Sequence, residues 1–452
     1  MIVVRKRLFI WLIKAYLKKW GKSILIYFGI GLIVFFLLNK FLPYFISRLP
    51  FVGNESIGMV GAYTVDSLPQ EIISKISKGL TKTGIDGTVM PDVAEKWKIS
   101  PNGKAYAFYL NKNLYFSDGA NLTSKDISYN FADVDVLKPD KYTIVFTLKD
   151  NYSPFLTAVT RPIFKKGFVG LGDYKIKKIK LNGNFVESIE LYSEKYRKIL
   201  TYHLSYPTLS ALKTAFLLGE ISKITNLPDV NFMNTTFKSF KNVTVEKKID
   251  HTKLVTLFYN TGDKNLSSKM LREGLSYTMS DSFKQGERNP NPLPNFSYAN
   301  QGGYAVYQQD LEHARLLIDK SGTATGSGKI DLIIDTLPKY EETAKIIADT
   351  WKKLNINTVI KITDQVPSNF QVFLGEFNVS SDPDQYTLWH SSQVNNITHY
   401  DNPRVDKLLE DGRKELDVKK RMLIYADFQK YLLSDPPASM LFFPYYYEVS
   451  KK

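Results

Sequence analysis

A run of 17 uncharged and mostly apolar residues near the N-terminus constrains the fold of this chain more than any other feature. The run extends from Ser23 to Asn39, and after a single Lys40 the apolar pattern resumes. As a helix, such a run covers about 25 Å, and with its flanks it reaches the ~30 Å thickness of a hydrocarbon core. We therefore expect one N-terminal transmembrane helix.

The charges around this run predict its orientation. Residues 1–50 contain nine basic residues and no acidic residue, and seven of the nine precede Ser23. Because positive charge is retained on the cytoplasmic side, we expect a single-pass protein of the cell membrane whose N-terminus is cytoplasmic. A cleaved signal peptide fits less well, since the apolar region is long and no small-x-small cleavage site follows it. The remainder of the chain is then extracytoplasmic.

The rest of the composition excludes several function classes. The net charge of +15 belongs mostly to the N-terminus, because the other 402 residues carry 51 basic and 45 acidic residues; we expect no nucleic-acid partner. The chain has no cysteine, and its five histidines show no metal-ligand spacing. It also lacks a Gly-rich phosphate loop, a G-x-S-x-G elbow and an HExxH motif. We expect neither a cofactor nor a metal site, and no enzyme activity.

The residues after about 56 predict a mixed α/β fold. Strands are expected at 57–65, 105–110, 143–148, 329–335 and 357–362, where apolar residues alternate or cluster. Helices are expected at 69–82, 341–354, 405–409 and 419–433, where apolar residues follow helical spacing. The order strand, helix, strand over 329–362 is typical of a βαβ unit. The segment 285–303 is rich in Pro, Asn and Gly and is expected to be a loop.

A series of short motifs keeps the order of a known family over about 370 residues. The first group consists of Gly79-Leu80, Asp86-Gly87, Pro91, Ala94, Trp97, Tyr106, Phe108, Leu110, Phe116, Asp118-Gly119 and Asp126-Ile127. The last group consists of Asp382-Pro383, Tyr400 to Pro403, Asp406, Arg421, Tyr425, Gln429 and Asp435 to Pro437. In this order the chain resembles the family 5 extracellular solute-binding proteins, the oligopeptide-, dipeptide- and nickel-binding type of ABC importers.

The resemblance implies a fold and a division of the chain. The implied fold is a two-lobed, periplasmic-binding-protein-like α/β clamp of type II and the large cluster, here preceded by the transmembrane helix. Residues 1–50 would form the basic cytoplasmic segment and anchor. Lobe one would comprise 56–255 and 437–452, and lobe two 256–436. The connections between lobes are expected near 258–261 and 436–442, and the ligand between the lobes.

The resemblance also implies a function. The chain would be a membrane-anchored, monomeric substrate-binding protein that captures a small solute, with oligopeptides among the candidates, and delivers it to ABC permease subunits. The alternative is a surface sensor, chaperone or scaffold that keeps the fold without transport.

The candidate ligand contacts are Tyr63, Thr64 and Val65 in lobe one and Glu376, Phe377 and Trp389 in lobe two. Two departures from the family concern this site: the bridge over 129–142 is short, and Val379 stands where peptide-binding members have the aspartate that pairs with the peptide ammonium. A buried ammonium needs a paired anion. Either Glu376 takes that role or the ligand is not a free-amine peptide.

Overall fold

The computed structural model describes residues 6–48, 53–300, 302, 306–322 and 329–452. The predictions that fall on 1–5 and 49–52, and on 301 and 303 of the predicted loop, lie outside the described residues. The chain divides into two compact units. The first contains the N-terminal helix α1 (Lys6–Arg48) and Ser193–Ile199, and the second contains Glu55–Tyr192 and Leu200–Lys452.

Helix α1 contains the apolar run of the sequence. Its segments Lys14–Ser23 and Leu25–Phe36 meet at an angle of 54°. By length and composition the pair could cross a membrane together, whereas no single helix among the described residues is both long and apolar enough. The transmembrane helix therefore stays a prediction.

The remaining helices lie in the second unit. In chain order they are α2 (Gln70–Ile76), α3 (Phe155–Ala158), α4 (Leu209–Leu218), α5 (Lys269–Tyr277), α6 (Leu311–Lys320), α7 (Glu341–Lys352), α8 (Tyr386–Trp389), α9 (Pro403–Lys414) and α10 (Val418–Ser434). The helix expected at 69–82 ends at Ile76, because Ser77 adopts an extended conformation and its hydroxyl donates to the carbonyl of Ile163. Leu80, which continued the helical spacing, is buried in a different core.

The strands are numbered in chain order. They are β1 (Gly53–Val60), β2 (Thr81–Thr83), β3 (Val89–Pro91), β4 (Ala94–Ile99), β5 (Ala105–Leu110), β6 (Val134–Asp140), β7 (Thr143–Leu148), β8 (Lys175–Asn182), β9 (Phe185–Ser193), β10 (Lys198–Tyr206), β11 (Lys223–Leu227), β12 (Asn231–Phe232), β13 (Thr235–Thr236), β14 (Val243–Ile249), β15 (Lys253–Tyr259), β16 (Gly286–Arg288), β17 (Ile330–Thr336), β18 (Ile356–Ile362), β19 (Val372–Asn378) and β20 (Ala438–Lys451). The strands expected at 105–110 and 143–148 are confirmed, and the strand expected at 57–65 ends at Val60.

A large sheet runs through the second unit in the order β18-β17-β19-β15-β20-β11-β1-β10-β9-β8. Strands β14 and β16 also pair with the long strand β20. We call β1, β8–β11, β14 and the end of β20 the first half of this sheet, and β15–β19 with the beginning of β20 the second half. Strands β17 and β18 are parallel and α7 connects them, which confirms the predicted βαβ unit.

A separate sheet of four strands, ordered β4-β5-β7-β6, precedes most of the large sheet along the chain. Alternate residues of β5 and β7 are buried, as their sequences predict. Their side chains form one core with those of α3 and of the loops around it. The hairpin formed by β2 and β3 lies next to this sheet in sequence.

Both faces of the second half of the large sheet are covered. On β15, Val255, Leu257 and Tyr259 pack into one core with α5, α6 and α7. Leu254 and Phe258 point the other way and pack with α9 and α10. This alternation follows from the period of two of a β-strand, and two-sided burial explains why β15 is apolar along nearly its whole length.

Candidate functional site

The chain passes from one half of the large sheet to the other at the β14–β15 turn and within β20. We call these two places the crossings. Strand β14 turns at residues 250–252 into β15, and β20 pairs with β14 over 445–451 but with β15 and β16 over 438–444. Asp250 closes the turn, because its Oδ1 accepts hydrogen bonds from the backbone N–H (3.0 Å) and the hydroxyl of Thr252. The crossings therefore lie at 249–253 and 444–445, whereas the lobe connections expected near 258–261 and 436–442 stay a prediction.

A cavity of about 280 Å³ lies beside the first crossing; we call it the cleft cavity. Its walls come from four segments, namely 83–87, 251–252, 293–297 and 379–383. The first segment precedes the crossing in the chain, and the last two belong to the part that follows it. The cavity is therefore enclosed by both sides of the crossing, as a ligand site between two lobes would be.

The tip of the β2–β3 hairpin supplies the first wall. Gly87 has a φ of +84°, a conformation that glycine adopts at little cost. Oδ1 of Asp86 accepts hydrogen bonds from the backbone N–H (3.1 Å) and the hydroxyl (2.7 Å) of Thr88. The sequence Asp86-Gly87 thus forms the turn that its motif predicts, and it holds the Asp86 carboxylate at the cavity wall.

The same hairpin tip touches the opposite wall. The backbone N–H of Tyr298 donates to the carbonyl of Asp86 (2.9 Å), and the hydroxyl of Thr83 donates to that of Ser381 (3.3 Å). A Cβ atom on Gly87 would lie 2.0 Å from the carbonyl oxygen of Ser381. Glycine at 87 therefore permits the two walls to meet.

A buried ion pair supports the wall at 379–383. Nη1 and Nη2 of Arg421 donate to the two carboxylate oxygens of Asp382 at 2.8 and 2.6 Å, and both side chains are buried. Burial opposes the charge of Arg421, but the hydrogen bonds from its guanidinium to Asp382 raise its pKa above the usual value. Because the two charged groups bond to each other, Arg421 holds Asp382, and with it the segment 379–383, in place.

Of the three residues predicted in lobe two, Glu376 and Phe377 lie on β19 and Trp389 lies in α8. Glu376 accepts a hydrogen bond from the Tyr340 hydroxyl and forms ion pairs with Lys339 (2.8 Å) and Lys253 (3.2 Å). Burial alone would raise the pKa of Glu376, but the bonds from Lys339 and Tyr340 and the charge of Lys253 outweigh it and lower the pKa. The negative charge of Glu376 is therefore already balanced within the protein.

Phe377 and Trp389 pack in the core that β15 shares with α9 and α10. Their rings are 6.5 Å apart, and the indole N–H of Trp389 donates to Oε1 of Gln385 at 2.8 Å. Trp389 is completely buried, so the role that the structure gives it is packing. Trp389 ends the short helix α8, which is only four residues long.

The three residues predicted in lobe one lie shortly after the end of β1. The Tyr63 hydroxyl donates to the carbonyl of Val60 (3.3 Å), and the Thr64 hydroxyl is 2.9 Å from that of Ser67. Val65 packs on the core of this half. None of the six predicted residues is among the described residues that line the cleft cavity, and ligand contact by each of them stays a prediction.

Sequence reasoning missed the hairpin tip and His251. Asp86-Gly87 entered the sequence analysis only as one of the family motifs, and nothing in the local sequence shows that this turn touches residues almost 300 positions later. Val379, which the sequence analysis did single out, does line the cavity.

Comparisons with known proteins agree with this architecture. The family model described as "Bacterial extracellular solute-binding proteins, family 5 Middle" matches residues 88–398. The oligopeptide-binding protein AppA of Bacillus subtilis is 22% identical, over 87% of this chain and 86% of its own. Among solved structures, NikZ of Campylobacter jejuni in complex with Ni(L-His) is 21% identical with a TM-score of 0.70, and covers 88% of this chain and 94% of its own. The ABC transporter substrate-binding protein CtaP of Listeria monocytogenes is 20% identical with a TM-score of 0.74 and the same coverage. These structures show the mixed α/β, two-lobed periplasmic-binding-protein fold.

Proposed function

Since the chain belongs to family 5 of the bacterial extracellular solute-binding proteins, we propose that it captures a small solute between two lobes and delivers it to the permease of an ABC importer. Relatives in this family carry names that refer to oligopeptides and to nickel, and a peptide-like solute is the first candidate for this chain. Membership of a family of binding proteins agrees with the expectation that the chain is not an enzyme.

The cleft cavity is the observation that carries this proposal. It is bounded on one side by the hairpin at 83–87, on the other by 293–297 and 379–383, and at its base by the crossing at 251–252. Closing and opening about two strand crossings is a common hinge motion of binding proteins. We assign lobe one to 55–249 and 445–451 and lobe two to 253–444, because β15 pairs with strands of the second half along its whole length.

We also propose that the N-terminal segment holds this receptor at the cell membrane with its lobes outside. The 17-residue uncharged run and the seven basic residues before it support the assignment, as does the bent helix pair over Lys14–Ser23 and Leu25–Phe36. A tethered receptor stays near its permease without a lipid-modified cysteine, which this sequence lacks. The mechanism requires only a monomer.

The state of Glu376 narrows the choice of ligand. Two lysines and a tyrosine engage its carboxylate, which argues against Glu376 taking the role of the aspartate that peptide-binding members have at the position of Val379. A peptide bound here would hold its ammonium by another group, or the solute would be of another class.

A thermal-shift screen of the full chain in nanodiscs tests the proposal. The panel contains peptides, amino acids, sugars and nickel chelates. A solute present at 100 times its Kd stabilises the native state by about 2.7 kcal/mol, and we expect a clear rise in Tm for one class.

Two matched variants connect such a shift to the cleft cavity. Val379→Trp fills the cavity and should abolish the shift, whereas Val394→Trp, at a position that is 98% exposed, should retain it. If no solute raises the Tm of the wild type, or if Val379→Trp binds like the wild type, the proposal is wrong.

A further inference from the structure

The charged groups around the cleft cavity are few. Among the described residues that line it, Asp86 is the one carboxylate, His251 is the one imidazole, and there is no lysine or arginine. The His251 ring packs against Phe296 and Phe443, with ring centroids 4.5 and 5.2 Å away. His251 thus forms part of the aromatic wall, and Asp86 supplies the negative charge.

The carboxylate of Asp86 is held ionised with one oxygen available. Hydrogen bonds from the hydroxyl and the backbone N–H of Thr88 lower the pKa of Asp86 below its ordinary value. Both of these bonds go to Oδ1, and Oδ2 has no hydrogen-bond partner among the residues that the structure describes. Asp86, which lines the cavity, therefore carries one carboxylate oxygen that these two hydrogen bonds do not use.

Two other carboxylates near the cavity, those of Asp382 and Glu376, are paired with cations of the protein. Asp382 is paired with Arg421 through both oxygens, and Glu376 is paired with Lys339 and Lys253. The negative charges of Asp382 and Glu376 are therefore already balanced by cations of the protein. Asp86 differs from both, because no cation of the protein pairs with it among the described residues.

The remaining walls are apolar or carry neutral hydroxyl groups. Ile85, Leu293, Phe296, Val379 and Pro383 contribute apolar surface, and the polar lining consists of Thr83, Thr252, Ser297, Ser380 and Ser381. The negative charge of the cavity lining is therefore confined to Asp86. The surrounding uncharged walls favour a solute whose remaining part is uncharged and partly apolar. An anionic solute would meet the Asp86 carboxylate without any basic side chain to offset it.

We propose that Asp86 makes the cleft cavity selective for organic cations, that is, solutes whose ammonium or amidinium group pairs with Oδ2 while a partly apolar body fills the remaining space. The proposal rests on the proposed function, since it names the class of solute that the cleft captures. No group of three or more His, Asp or Glu side chains among the described residues could hold a metal ion. The proposed cation carries its own hydrogen-bond donors.

Paired probes and an isosteric substitution test this selectivity. The probes are putrescine, spermidine, trialanine and trileucine, each compared with its fully N-acetylated form, which removes the positive charge but keeps the body. Binding to the full chain in nanodiscs is measured by calorimetry. We expect at least one amine to bind at least tenfold more tightly than its acetylated form.

The substitution Asp86→Asn removes the charge but keeps the side-chain acceptor for Thr88, so the turn is preserved. It should weaken binding of the amine at least tenfold without lowering the Tm of the ligand-free protein. Asp118→Asn is the matched control. Asp118 accepts a backbone hydrogen bond from Ala120 in a similar Asp-Gly turn but does not line the cavity, and this variant should bind like the wild type.

Four other results would overturn the proposal, and they are distinguishable. If acetylated or anionic solutes bind as tightly as the amines, or if Asp86→Asn retains the preference, Asp86 does not select the ligand, although the cleft still captures a solute. If nickel chelates alone bind, the site selects a metal complex. If no solute of any charge binds the wild type, the proposed function fails and this inference fails with it.

Discussion

At the scale of single residues, the buried ion pair of Arg421 and Asp382 supports the cavity wall at 379–383. Removing one member of a buried ion pair costs about 3–5 kcal/mol, because the other charge stays buried and unpaired. We therefore expect Arg421→Met to lower the free energy of unfolding by about this amount in urea denaturation. The double variant Arg421→Met, Asp382→Asn should recover part of the loss, since it removes the uncompensated charge. A loss below 0.5 kcal/mol for the single variant would contradict this interpretation.

Glu376 gives a pH-dependent prediction at the same scale. Its pKa is lower in the folded protein than its ordinary value, so its ionised form stabilises the fold. This stabilisation is present above the ordinary pKa and is lost as the pH falls through the folded pKa. Glu376→Gln should reduce the free energy of unfolding by about 1–3 kcal/mol at pH 7.

The difference in unfolding free energy between Glu376→Gln and the wild type should disappear below the folded pKa of Glu376, because the wild-type side chain is neutral there as well. Glu95→Gln, at an exposed position of β4, is the control and should show little difference at either pH. Chemical denaturation at several pH values measures both variants. If the loss of unfolding free energy in Glu376→Gln grew as the pH fell, the ionised form of Glu376 would not be the one that stabilises the fold.

At the scale of elements, two Asp-Gly turns provide a matched pair. Gly87 and Gly119 have φ values of +84° and +83°, and alanine in this conformation costs roughly 1–2 kcal/mol at each. Only at Gly87 would the new Cβ also meet a neighbour, the Ser381 carbonyl 2.0 Å away, whereas nothing lies within 4 Å at Gly119. Both variants should lower the Tm, but only Gly87→Ala should weaken solute binding in the thermal-shift assay. Equal affinities for the two variants would show that the hairpin tip does not contribute to closure.

The elements also show how far sequence reasoning extends. Strands β5 and β7 were predicted to the residue because one face of each is buried and the other is not, so their sequences alternate. Strand β6 was missed within the predicted short bridge at 129–142. It is an exposed strand at the edge of its sheet, contains Pro139, and buries no face that would leave an apolar pattern.

The site was harder to predict than the fold for the same physical reason. Residues 83–87 and 379–383 are almost 300 positions apart, and they meet only because both halves of the sheet are assembled around the two crossings. Local patterns do not record such a contact. The motifs that carry the family resemblance located Val379 at the cleft, but they could not show that Glu376 is neutralised by Lys253 from a neighbouring strand.

At the scale of the whole molecule, we expect the two proposed lobes to move toward each other when a solute binds. The crossings at 249–253 and 444–445 are the two places where the chain passes between the proposed lobes. The contacts of the hairpin tip with Tyr298 and Ser381 are then contacts of the closed state. Opening would expose the cleft cavity to solvent and release these contacts, so a bound solute should favour closure to the extent that it binds the closed state more tightly.

Energy transfer between dyes on the two lobes measures this movement. The sequence contains no cysteine, so Leu137→Cys on lobe one and Val394→Cys on lobe two, which are 64% and 98% exposed, can be labelled without background. We predict that the solute with the largest thermal shift changes the transfer efficiency, with half of the change at the concentration that half-saturates binding, and that Val379→Trp abolishes the response. If a solute binds in the cleft while the transfer efficiency stays constant, the proposed lobes do not close on it.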